Sequence, residues 1–131
     1  MDQKALVESQ IADAILLIKK LDEDGNSPSL VAWYFYDDVD EWRLIIAGPV
    51  FDALLPRQEL VAYRKLVEAM GSLSLSSLSF SNLKLVSTNS PLPQALRFLI
   101  RTGPTGIARL QFSNTTLNGI FIKEMIILRS A

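Results

Sequence analysis

Apolar residues near the start of the chain, Val7, Ile11, Ala14, Ile15, Ile18 and Leu21, recur at three- and four-residue spacing. That period predicts a helix over about 3–21 with one buried face. The segment DEDGNSPS ends it, because Gly25 or Asn26 can take the left-handed cap conformation and Pro28 blocks continuation. LVAWYFYD and WRLIIAG then read as a hairpin of two strands, each apolar enough to be covered on both faces. At a period of two, Trp33 and Phe35 share one face of the first strand and Tyr34 and Tyr36 the other.

A second helix is expected over 56–70, with Pro56 in its first turn, a Leu60, Tyr63, Val67 and Met70 stripe, and Gly71 as its C-terminal cap. SLSLSSLSFSNLKLVS alternates serine with leucine or phenylalanine; residues 83–87 at least are a strand, and the earlier serines a loop or edge strand. SPLPQALRFLIRTG is a third helix with Ser90 as N-cap, Pro91 in the first helical position, and Leu92, Ala95, Leu96 and Leu99 buried. IARLQF and GIFIKEMIILR are the last strands, joined by the two-residue turn Asn118-Gly119. A competing turn at SNTT would divide this region into three strands.

The order is α+β: one domain over 1–131, with a mostly antiparallel sheet of about five strands and about three helices packed against it. A chain of 131 residues, 49% hydrophobic and 21% charged, has the composition of a folded domain. It has neither cysteine nor histidine, which removes disulfides, thiolate and imidazole metal sites, and the usual nucleophile–histidine arrangements. The N-terminus has no signal-peptide pattern and no apolar run reaches about 18 residues, so a cytoplasmic location and no membrane span are expected.

The net charge of −1 conceals an asymmetry. Residues 1–55 hold four bases against eleven acids, and residues 56–131 nine bases against three acids. Either the halves interleave and the charges mix, or copies associate through opposite surfaces.

Asp37, Asp38, Asp40 and Glu41 gather four carboxylates in a turn, but the calcium-loop spacing fails: Arg43 and Pro49 stand where glycine and a bidentate glutamate are needed. The spacing from Asp22 fails likewise at Ser27 and Trp33. G-x-S-x-G does not occur, and S-x-x-K occurs only as Ser81-Asn82-Leu83-Lys84. IRTGPTGIARL lacks the phosphate-loop and dinucleotide spacings, and its glycines read as the end of a helix.

On the third helix, Gln94, Arg97 and Arg101 fall opposite the leucine stripe with Phe98 beside them. This group suits a base, a phosphate or an acidic partner; its structural alternative is a phenylalanine under a loop with arginines capping carbonyls. Tyr34 and Tyr36 form a second candidate surface, since the other aromatic pair must face the helices.

The segments AWYFYDDVDEWRLIIAGP and LRFLIRTGPTGIARLQFSNTTLNGIFIKEMIILR, with the IRTGP and NGIFI elements the most distinctive, resemble a group of small uncharacterised bacterial proteins with no assigned activity. The resemblance implies a bacterial cytoplasmic origin and brings no cofactor or site.

The expectation is therefore a non-enzymatic accessory protein that meets a protein partner or itself as a homo-oligomer, through Tyr34, Tyr36, Gln94, Arg97, Phe98 and Arg101. The alternative is nucleic-acid binding by the basic C-terminal half through Arg97, Phe98 and Arg101, with Lys84, Arg109 and Lys123; a weaker one is a metal hydrolase using the hairpin carboxylates. No cofactor and no small-molecule substrate is indicated.

Overall fold

Helix α1 (Glu8–Glu23) buries Ile11, Ala14, Ile18 and Leu21 of the expected stripe together with Leu17, and leaves Ile15 half-buried. The computed structural model describes residues 6, 8–97, 100–103 and 105–131; Val7, expected on the same face, lies outside them. Gly25 takes φ +77°, and Asn26 N donates to Leu21 O at 2.8 Å, closing the helix by the expected left-handed turn.

The hairpin follows as β1 (Leu30–Tyr36) and β2 (Glu41–Ala47), paired antiparallel from Leu30 opposite Ala47 to Tyr36 opposite Glu41. Pro49 both ends β2 and opens a four-residue helix, α2 (Pro49–Asp52), that the sequence reading did not separate. Helix α3 (Glu59–Gly71) starts three residues later than expected and turns a different face inward: Ala62, Leu66 and Ala69 are buried, whereas Leu60 is 83% exposed and Val67 47%. Two alanines let the helix lie close to its neighbours, which a Leu60–Val67 stripe would prevent. Gly71 is the last helical residue, not a left-handed cap, and Ser72 Oγ donates back to Ala69 O at 2.9 Å.

The serine-rich segment is mostly loop. It enters a 3-10 turn at Phe80–Asn82 and then β3 (Leu83–Leu85), three residues that pair with β2 in parallel. Asp13 of α1, buried at 3% exposure, pins this loop by accepting the backbone N–H groups of Ser76, Ser77 and Leu78 at 3.0, 2.6 and 2.9 Å. One carboxylate thereby satisfies three donors that the irregular backbone leaves without a ladder.

Helix α4 (Pro91–Arg97) opens at Pro91 as expected and buries Pro93, Ala95 and Leu96. Leu99 and Phe98 lie outside the described residues. The last strands are β4 (Leu110–Leu117) and β5 (Ile120–Ser130), joined by Asn118 and Gly119 at φ +49° and +83°, the paired left-handed turn the dipeptide predicts. Asn114 also takes positive φ, but β4 continues through it, so the region is two strands.

The architecture is α+β, with a five-stranded sheet in the order β3-β2-β1-β5-β4, antiparallel except for β2–β3. Helices cover both faces. Trp33, Phe35, Leu44, Ile46 and Leu128 pack beneath α1 and α3, and Phe35 and Trp42 hold their ring centroids 5.4 Å apart. Ala32, Ile45, Met125 and Ile127 form the second core, which Leu96 of α4 joins.

Candidate functional site

The second face is only partly roofed: α4 covers part of it over its described residues Pro91–Arg97, and a groove stays open beside Tyr34 and Tyr36. Strand alternation sends Tyr34 and Tyr36 onto this face, where both are half-buried with ring centroids 4.9 Å apart and planes tilted by 59°. Arg43, opposite Tyr34 across the hairpin, and Lys84 of β3 come from adjacent strands onto the same face. The Arg43 guanidinium lies 5.5 Å from the Tyr36 ring centroid and the Lys84 ammonium 6.0 Å, both within cation–π reach.

Burial raises the Tyr36 phenol above its ordinary value of 10.0, and Tyr34 adds to the effect. Burial also raises Tyr34, with Asp38 adding to it. Both rings are therefore neutral near pH 7, with hydroxyls able to donate. Tyr34 Oη donates to Phe121 O at 3.4 Å. Phe121, 57% exposed, lines a shallow depression beside the two tyrosines and Lys123.

The remaining candidates are not gathered here. Gln94 is structural: its Nε2 donates to Thr88 O at 3.0 Å, and Asp52 in turn accepts from Thr88 N at 2.9 Å and from the Thr88 hydroxyl. Arg97 is exposed and borders a depression of about 210 Å³ beside Leu30 and Ser130. That depression borders Leu30, at the far end of β1 from Tyr36, while Pro93 of α4 lines both it and the groove beside the tyrosines. Arg101 is exposed beyond the end of α4 at Arg97, and so the two arginines do not share a described helix. Phe98, expected to join them, lies outside the described residues.

Part of the charge asymmetry is taken up within the molecule. Arg109 makes a double hydrogen bond to Glu8 at 2.8 and 2.6 Å, Lys123 meets Asp37 at 3.2 Å, and Arg129 holds Asp22 at 2.7 and 2.8 Å. Each pair joins a base of the second half to an acid of the first. Hydrogen bonding from Arg109 holds the Glu8 carboxyl below its ordinary value. Arg129 does the same to Asp22.

Arg129 was not among the expected residues, yet it organises the loop around IRTGPTGIARL. Its side chain is fully buried, and its Nε donates to Gly106 O at 2.9 Å while the guanidinium grips Asp22. Gly103 takes φ +83°, and a side chain at Gly106 would place its first carbon 2.0 Å from Thr102 O. These glycines are required by backbone geometry and close approach, not by an anion.

Arg43 and Phe121 were also missed as site residues. Arg43 carried a signal in its register: a base among apolar strand residues that alternation places on the tyrosine face. Phe121 carried none, because its exposure depends on how the β4–β5 hairpin stands beyond the helices. The hairpin acids stay apart in role: Asp37 pairs with Lys123, Glu41 meets Arg43 at 3.3 Å, and among the described residues no group of three acids is placed to hold a metal ion. No described helix is long and apolar enough to cross a membrane. Comparison with protein-family models, curated proteins and solved structures returns no match.

Proposed function

We propose that this protein is a non-catalytic binding protein that takes single-stranded nucleic acid on the open half of its sheet. The observation that carries the reading is the half-exposed Tyr34–Tyr36 pair with two cations, Arg43 and Lys84, at the Tyr36 ring. Single strands are bound without helical grooves by stacking bases on aromatic faces while cations follow the phosphates. Tyr36 and Tyr34 supply the faces, Lys84 and Arg43 the charge, and Phe121 extends the aromatic row toward β5.

The surroundings set the direction of a bound strand. Asp37, Asp38, Asp40 and Glu41 make the hairpin tip acidic, so a phosphate backbone is repelled there and drawn toward β3. The contact of Arg43 with Glu41 is exposed and worth about 0–1 kcal/mol, so a phosphate can displace it at little cost.

Association through opposite charges of the two halves is less favoured, because three cross-half ion pairs already use part of that charge internally. Arg43 and Lys84 are the cations placed at the Tyr36 ring, with Lys123, in an exposed pair with Asp37, beside Tyr34.

A chain of net charge −1 with two cations in its site should bind weakly and with modest salt dependence. Two phosphate contacts correspond to a slope of about −1.4 in log K against log salt for a single strand. Fluorescence anisotropy with a labelled decanucleotide across a salt series measures it. A slope near that value supports the reading; no binding at low salt refutes it.

A further inference from the structure

Between Tyr36 and the start of α4 the sheet is indented by a groove of about 290 Å³. Ile45, Val86, Leu92 and Ile120 form its apolar walls, and Tyr36 and Ser90 border it. Neither the Tyr36 nor the Ser90 hydroxyl makes a hydrogen bond among the described residues, so each is free to meet a ligand's polar edge.

We infer that this groove receives one unstacked base of the bound strand; the inference rests on the nucleic-acid reading and specifies how that site selects its ligand. Size limits the occupant, since the volume lies at the lower end of the roughly 300–1,000 Å³ of small-molecule pockets. One ring system fits that limit. Chemistry narrows it further: apolar and aromatic walls favour a planar ring, and two bordering hydroxyls can meet its polar edge. Charge supplies the rest. Lys84 and Arg43 stand at Tyr36, on the border of the groove, where the phosphates flanking an inserted base would lie. A neutral apolar molecule would make no use of those cations, and a duplex could not offer a base without unstacking it.

The consequence is that binding depends on bases as well as on backbone charge. Decathymidylate and an abasic decamer of the same backbone separate the two contributions in anisotropy titrations at low salt. Decathymidylate should bind at least about tenfold tighter, as expected when base stacking and insertion are lost together. Val86→Phe, which fills the groove, should erase that margin and leave the affinity for the abasic strand within about twofold.

A thermal melt establishes that the variant is folded. Thymidine monophosphate added to the unmodified protein provides a second readout, and should shift the methyl resonances of Ile45, Val86, Leu92 and Ile120. Equal affinity for the two decamers, or methyls unmoved by millimolar nucleotide, overturns the base pocket even though strand binding stands. Failure of both decamers to bind overturns the pocket and the nucleic-acid reading together.

Discussion

Trp33 and Phe35 point to one face of β1 and Tyr34 and Tyr36 to the other, and the two faces are finished differently. The first pair lies under α1 and α3, helices of 16 and 13 residues, and is at most 2% exposed. The second lies beside α4 and an open groove and remains half-buried, with cations from two neighbouring strands around it. Strand alternation sorts the aromatics, and how completely each face is covered sets how much of their area stays exposed. A sealed face turns aromatic area into stability; an open one leaves it accessible.

The sharpest way to break this comparison is to delete one ring from each face. Trp33→Ala should cost about 3–5 kcal/mol in urea denaturation, as expected for a buried aromatic. Tyr36→Ala should cost about 1 kcal/mol or less, the scale of a partly exposed cation–π contact. Equal losses would make the tyrosine face core.

Arg129→Ala should destabilise by about 3 kcal/mol, because it strips the buried partner from Asp22 and releases Gly106 O. It should also change the acid limb of stability. Arg129 holds the Asp22 carboxyl below its ordinary value of 3.8, so this contribution is present above that value and is lost as pH falls through the lower folded value. The variant should lack that part of the acid-dependent loss in pH-resolved thermal melts.

Asp13→Ala should cost about 2 kcal/mol by leaving three backbone donors without their acceptor, and hydrogen exchange should accelerate first at Ser76, Ser77 and Leu78. The smallest effect belongs to Lys84→Gln. Stability should change by under about 0.5 kcal/mol. The salt slope of strand binding should become shallower by about 0.7, the share of one phosphate.

Local signals explain most of what was legible in the sequence. The aromatic alternation placed the hairpin faces, Gly25 ended α1, and Asn118-Gly119 joined the last two strands, because each depends on a few neighbouring residues. The α3 stripe was misread because Leu60 and Val67 are apolar at helical spacing, whereas the close approach that buries Ala62 and Ala69 is a property of the tertiary fold. The parallel pairing of β3 with β2 has no local signature. The Asp22–Arg129 pair spans 107 positions, and only folding brings it together.

For the candidate site, alternation sufficed to place Tyr34 and Tyr36 on one face. Arg97 borders a separate depression beside Leu30, and Pro93 of α4 lies between that depression and the tyrosines. The cations that do stand at the tyrosines, Arg43 and Lys84, arrive through register across two neighbouring strands.

The central claim is that binding belongs to the tyrosine face and not to the sealed one. Chemical-shift mapping of the protein saturated with decathymidylate at low salt tests this most directly. Perturbations should gather at Tyr34, Tyr36, Arg43, Lys84 and Phe121 and leave the outer faces of α1 and α3 unchanged. Shifts centred on α1 or α3 with the tyrosine face silent would contradict it.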